Sequence, residues 1–429
     1  MAQGFRGFWR RVWRLLAWLA ALLVVVLVMV AAVASWRFAN YAPADPPVAP
    51  DAAALALFRD DYAASRADFL ARGDALAARH AGVQRFAVPV ASRQGVTGLF
   101  VDGLHLPAQG TPQRLLVLSS GVHGVEGPAG SAVMRLFMDE FLDRATRAGT
   151  GVLLLHAINP YGFAVQRRFT ENNVDLNRNA STSDALYRSE NAGYPLVDPL
   201  INPTGPADTG APGHRLYLLR AVAMIAQHGM PALRQAVLQG QYRYPQGIYY
   251  GGQALEPQLA ALAPLLRPVL DAYPLSMSID LHTGYGARGT LHLFLNPPQD
   301  PAVRQGLEAA FAGQRIDWGS GSDFYTVTGD FSAWLGALRS GGTHLPAVFE
   351  YGTMDSQSTL GAVKSLHITA LENQGAQHGY ATPQDEAEIR HAYREMFNPS
   401  SPAWRSKVIQ DSRALFQSVL ANWGGAAGG

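Results

Sequence analysis

The stretch SSGVHGVEGPAG, residues 119–130, places His123 and Glu126 three residues apart among glycines and a proline, just after the apolar run RLLVL. Imidazole nitrogen and carboxylate oxygen are donors that zinc accepts, and a catalytic zinc takes three protein ligands and keeps one position open for water. The pair is one ligand short. His282 in SIDLHTGYG ends a second apolar run and is followed by Thr283 and Gly284, where the chain can open a cavity. Between these lies NPYGFAVQRRFTENNVDLNRN, residues 159–179, dense in hydrogen-bonding side chains. Arg178 can grip a carboxylate with its planar fork, and Arg167 or Arg168 can stabilise a developing oxyanion. Glu350, in LPAVFEY, follows another apolar run, where a carboxylate without a task or partner is costly to desolvate. Each residue also has a plainer reading: a surface-loop H-x-x-E, a satisfied core histidine, solvated arginines, a strand-end salt bridge.

In order along the chain, HGVE, NPYG with RRF and VDLNRN, DLHTG and FEYG resemble the zinc metallocarboxypeptidases of the carboxypeptidase A type, most nearly an uncharacterised bacterial branch of that superfamily. RRFTENNVDLNR and DLHT are also similar to the succinylglutamate desuccinylase and aspartoacylase branch. The match runs from about residue 85 to about residue 375. The resemblance implies a three-layer α/β/α fold with a mixed, largely parallel sheet. It implies one zinc ion per chain, held by His123, Glu126 and His282, the ligand types known for carboxypeptidase A. Asp175 then hydrogen-bonds the first histidine, and Asn177 and Arg178 hold a substrate carboxylate. Arg168, or its neighbour Arg167, polarises the scissile carbonyl, and Glu350 is the general base. Tyr325 in FYTVTGDFSAW closes over the bound end of the substrate. The implied activity is hydrolysis of an amide bond next to a free carboxylate, on a peptide.

Some features depart from the family pattern. His282 lies 156 residues beyond Glu126, farther than in the shortest members, with loops at 188–215 and 241–252 taking up the excess. Arg168 and Asn177 are nine positions apart, closer to the desuccinylase type. Asp330 and Ser332, expected near the leaving residue, favour neither an apolar nor a basic one. An N-acyl amino acid deacylase is therefore the alternative enzyme. The alternative from another class is a membrane-anchored binding protein without catalysis, against which the intact set His123, Glu126, His282 and Glu350 speaks. GYGARG, residues 284–289, satisfies a dinucleotide fingerprint but precedes a strand-like run where that motif needs a helix. No G-x-S-x-G nucleophile elbow occurs.

The elements that must position these residues are legible as periodicity. Strand-like runs fall at 115–120, 151–159, 275–282, 290–296 and 345–351, with helix-like stretches such as 130–149 between several of them. Near-continuous apolar strands alternating with helices predict an α/β layered domain with a mostly buried sheet. Sites in such sheets collect at the carboxyl ends of strands, where His123, Asn159, His282 and Glu350 fall. Residues 51–80 have helical spacing, 188–215 reads as a long ordered loop, and 241–252 reads as an aromatic rim.

The chain has 429 residues, 48% hydrophobic and 16% charged, with net charge +1, so nothing in its charge favours nucleic acid. It has no cysteine, which excludes thiol catalysis, disulfides and cysteine zinc sites. Arg6, Arg10, Arg11 and Arg14 make residues 1–14 a basic, cytoplasmic start. Residues 15–36 follow with Ser35 as their only polar side chain, and as a helix they rise about 33 Å, enough for a hydrocarbon core of about 30 Å. Trp13, Trp18 and Trp36 lie near the ends, where indoles prefer the interface. Ala32-Val33-Ala34 resembles a signal cleavage site, but the apolar run exceeds the usual signal length. Both readings export the remainder; the expectation is a single-pass inner-membrane protein with its catalytic domain on the periplasmic or extracellular side. The expected organisation continues with a proline-rich linker at 37–50, a hydrolase domain at 51–423 and a flexible tail at 424–429.

Overall fold

A computed structural model describes residues 2–91, 95–146, 149–295, 300–318 and 327–425. Eight strands form one sheet: β1 (Gln84–Pro89), β2 (Phe100–Leu106), β3 (Arg114–Ser120), β4 (Thr150–His156), β5 (Leu275–Gly284), β6 (Leu291–Leu295), β7 (Ile316–Trp318) and β8 (Thr343–Gly352). Their order is β1-β2-β4-β3-β5-β8-β6-β7. The centre, β4-β3-β5-β8, is parallel. On one side β2 runs antiparallel to β4, and on the other β6 runs antiparallel to β8, so the sheet is mixed.

Every residue of β3 and β4 is buried, as continuous apolar runs require in a sheet covered on both faces. Successive side chains point to opposite faces. Leu116, Leu118 and Val152 pack with helices Tyr62–Arg79, Gly127–Glu140 and Pro402–Gly425. Leu115, Val117 and Leu153 pack with helices Pro257–Asp271 and Phe331–Ala337. Burying each such side chain is worth about 1.5–3 kcal/mol. The result is a three-layer α/β/α domain.

The five expected strands are β3, β4, β5, β6 and β8. The peripheral β1, β2 and β7 carry no continuous apolar run and were not expected. A second difference lies at 188–215, where the expected loop contains helices Tyr194–Ile201 and Pro212–Arg215. Tyr194, Val197, Leu200 and Ile201 share a buried face, and a proline in the first turn lacks an N–H that would have no helical partner anyway. Helices Tyr217–His228 and Met230–Leu238 complete this insertion.

Helix Ala2–Ala39 contains a stretch, Arg11–Ala39, long and apolar enough to cross a membrane, and its most apolar 18-residue window is not buried by the rest of the chain. Its carboxyl end is docked: Phe38 is buried and stacks on Tyr217 and His367, with ring centroids 6.5 and 5.6 Å away. The proline-rich segment then lies along the domain instead of standing clear of it. Tyr41 donates to Asp355 at 3.2 Å and Asp45 pairs with Arg288 at 2.7 Å.

Candidate metal centre

The chain leaves β3 for β4 on one side, while β5 flanks β3 on the other; this reversal opens a crevice at the carboxyl ends of the strands. Gly121 follows β3 with φ +69°, a left-handed conformation that glycine adopts without penalty. His123 then precedes a turn, Gly124–Glu126, that leads into helix Gly127–Glu140 with Pro128 in its first turn. A Cβ on Gly124 would fall on the backbone of Gly162, so glycine lets this turn press against helix Pro160–Val165. The awkward backbone has a use: it folds His123 and Glu126 to the same side.

Register brings in the third side chain of the cluster. Ser120 pairs with Leu281, so His282 lies one residue past the end of β3. His123 Nδ1 is 2.9 Å from Glu126 Oε1 and 3.0 Å from His282 Nδ1, and His282 Nδ1 is 3.0 Å from Glu126 Oε2. All three residues are buried, and one donor atom from each lies within 4.8 Å of the others. Their second nitrogens face carboxylates. His123 Nε2 meets Asp175 Oδ1 at 3.2 Å, and His282 Nε2 meets Asp280 Oδ2 at 2.6 Å. Ser119 donates to Asp280 at 2.7 Å, holding that carboxylate in place. A carboxylate behind each imidazole selects the tautomer with its proton on Nε2 and leaves the Nδ1 lone pair for a cation. The donor set fits a single metal ion.

The electrostatics agree. Burial opposes charge on His282, but Asp280 and Glu126 outweigh it and hold the pKa well above the usual histidine value. Burial likewise opposes charge on Glu126, yet His123 and His282 keep its pKa low. A dry cluster that sustains a carboxylate only by retaining a proton beside it is also satisfied by a divalent cation.

The surrounding residues divide between the cavity and the scaffold. Arg168 lines the cavity, with Nε donating to Asp175 Oδ2 at 2.8 Å and Nη1 3.6 Å from Glu126. Arg167, the other candidate for the carbonyl, is directed elsewhere: it pairs with Glu372 at 2.6 Å and donates to Asn173 and Asn373. Asn177 and Arg178 both line the cavity. Asn177 accepts from the Phe331 amide at 2.9 Å, while Arg178 donates to the Leu238 carbonyl at 3.0 Å and lies over the Tyr249 ring. Glu350 pairs in register with His282 and also lines the cavity. Its Oε2 is buried without a hydrogen-bond partner among the described residues. Burial, with Glu126 nearby, pushes the Glu350 pKa up to about 8 against the opposing pull of His282 and Arg168. Asp330 and Ser332 line the same cavity. Tyr325 lies outside the described residues.

Asp280 was missed from sequence, although its signal was present: it stands two residues before His282 on one strand, hence on the same face. GYGARG forms no helix start; Gly284 and Gly286 take positive φ and the chain enters β6, consistent with a wall beside His282.

A buried His-Glu-His cluster at the carboxyl edge of a three-layer sheet domain makes this an α/β/α protein with a candidate site for one metal ion. The chain belongs to the family described as protein of unknown function DUF2817, whose family model matches residues 58–411. This agrees with the uncharacterised branch expected from the motifs. No curated protein matches the chain. Similar solved structures include a protein from Shewanella amazonensis assigned as a metallopeptidase, 16% identical, TM-score 0.34, covering 74% of this chain and 93% of that one. A succinylglutamate desuccinylase/aspartoacylase from Rhodobacter sphaeroides is 15% identical, TM-score 0.33, covering 69% and 67%. Bovine thrombin-activatable fibrinolysis inhibitor, in complex with a tick carboxypeptidase inhibitor, is 13% identical, TM-score 0.39, covering 80% and 96%.

Proposed function

We propose that the protein is a membrane-anchored, exported zinc hydrolase that cleaves an amide bond adjacent to a free carboxylate. The observation that carries this reading is the convergence of His123 Nδ1, His282 Nδ1 and Glu126 on one point, with Asp175 and Asp280 behind the imidazoles. When bound there, zinc lowers the pKa of a water from 15.7 to about 7 and polarises a carbonyl oxygen. The chain's own residues do the rest. Arg178, with Asn177 beside it, holds the substrate carboxylate at the cavity wall. Arg168, steadied by Asp175, offers positive charge to the carbonyl oxygen as that oxygen gains charge. Glu350 has an oxygen without a partner among the described residues and a raised proton affinity, which suit it to take a proton from water and deliver it to the departing nitrogen. The amide C–N bond breaks, a C–O bond forms from water, and the amine leaves carrying that proton. Arg6, Arg10, Arg11 and Arg14 ahead of an apolar helix long enough to cross a membrane support the exported location.

The full-length protein purified from membranes tests this. Elemental analysis is expected to find about one zinc per chain. Glu350→Gln should keep the metal and lose about 10²- to 10⁴-fold in kcat. A Glu350→Gln protein that hydrolyses at the parent rate excludes the mechanism, and a zinc-loaded parent inert on every peptide and N-acyl amino acid leaves the binding protein as the better account.

A further inference from the structure

The cavity, about 250 Å³ in volume, carries charged groups beside the candidate metal centre and a further one, Arg234, on helix Met230–Leu238. Much of the rest of its wall is hydrocarbon: Ala221 and Ile225 from helix Tyr217–His228, Leu233 and Val237 from helix Met230–Leu238, and Val363 and Leu366 from helix Thr359–His378. A site that holds a carboxylate at Arg178 gains nothing electrostatic from such a wall. What the wall can do is take hydrocarbon out of water, and each buried methylene multiplies affinity about fourfold.

The position of that wall is a second, independent observation. Helices Tyr217–His228 and Thr359–His378 also meet the N-terminal apolar helix, through Leu218 and Leu360, which lie across a shallow cleft from Met29, Val30 and Val33. Phe38 then stacks on Tyr217 and His367. Leu219 and Val222 on the first of these helices are exposed. Only one helix layer separates the inside of the cavity from the segment that is long enough to cross a bilayer.

We propose that the substrate is an amphiphile, an N-acyl amino acid with a long hydrocarbon chain, drawn from the membrane surface beside the anchor. Its carboxylate sits at Arg178, its amide at the metal centre, and its chain along the apolar wall. This rests on the amide-hydrolase reading above and on retention of the apolar helix. The reaction consumes one water: the amide C–N bond breaks, the acyl carbon gains oxygen and leaves as a fatty carboxylate, and the free amino acid departs with the proton passed through Glu350.

The test uses the full-length, zinc-loaded chain in phospholipid vesicles, with N-dodecanoylglycine and N-acetylglycine as probes. The dodecanoyl probe is expected to have a kcat/KM at least about 100-fold higher, since burying even four methylenes suffices for that ratio. Its rate should follow its mole fraction in the vesicle and not its bulk concentration. Calorimetry on Glu350→Gln should find saturable binding of one N-dodecanoylglycine per chain, weakened at least about tenfold by the added change Ile225→Glu. Equal rates on the two probes, or a preference for the acetyl form, overturn the inference and leave the hydrolase reading standing. Dependence on bulk concentration alone overturns uptake from the membrane. If neither probe nor any peptide is cleaved, the hydrolase reading fails; saturable binding then still upholds the apolar ligand, and its absence overturns it.

Discussion

Each imidazole of the candidate centre has its own carboxylate, and the two arrived by different routes. Asp175 comes from a loop and also fixes Arg168, whereas Asp280 shares a strand with the histidine it touches. Asp280→Asn should weaken zinc affinity about 10- to 100-fold in a chelator competition, with little change in kcat once metal is saturating. Asp175→Asn should lower both affinity and kcat, because Arg168 loses its anchor. The metal-free cluster also sets a pH dependence. Burial disfavours the charged form of His282, but Asp280 and Glu126 hold its pKa well above the usual histidine value, which favours a proton on Nδ1 of the metal-free ring. A cation cannot share Nδ1 with that proton, so zinc uptake must expel it and apparent affinity must rise with pH until His282 titrates. Calorimetry at pH 7 in buffers of different ionisation enthalpy should detect about one proton released per zinc; no release means that the proton is absent from the free site.

At the level of elements, the metal site depends on two close approaches. The first is the turn Gly124–Glu126 against helix Pro160–Val165, where a Cβ on Gly124 would overlap Gly162. Gly124→Ala should destabilise the fold by about 1–3 kcal/mol and lower zinc occupancy, because the turn must retreat and carry His123 and Glu126 with it. A variant with parent melting temperature and full occupancy would show that the turn tolerates the shift. The second is the buried pair of Arg167 with Glu372 on helix Thr359–His378. Arg167→Ala leaves a buried carboxylate without its partner and should cost about 3–5 kcal/mol in stability. Arg168→Ala likewise strips the buried Asp175 of its partner and should cost a similar amount in stability, but it should lower kcat as well. Thermal melting and steady-state rates on both variants distinguish scaffold from chemistry.

For the whole molecule, the fate of the N-terminal apolar helix can be tested directly. If it is retained, the protein resists extraction by alkaline carbonate, and mass spectrometry of the purified chain finds residues 1–36 attached; a mature chain beginning just after Ala34 would identify a cleaved signal. The docking of Phe38 and the proline-rich segment onto the domain brings the domain and the apolar helix into contact, so truncation before Phe38 should leave the fold intact and truncation beyond it should expose Tyr217 and His367.

The central sheet and the residues of the His-Glu-His cluster were legible in the sequence for a simple reason. Parallel strands covered on both faces need unbroken apolar runs, and polar residues at the ends of such runs must face a site or be buried at a loss. The outer strands were not legible, because β1, with one side chain buried and four exposed, has no continuous pattern to read. The helices at 194–238 were hidden by prolines and glycines, whose local signal the burial of Tyr194, Val197 and Leu200 overrides. Two adjacent arginines, Arg167 and Arg168, are equivalent to any one-dimensional reading; their fates diverge because one meets Glu372, 205 residues away, and the other meets Asp175. Sequence therefore determined which residue types stood at the ends of buried strands, since that follows from local burial. Tertiary structure alone decided which of them meet, because strand register and helix docking join positions that no local pattern connects.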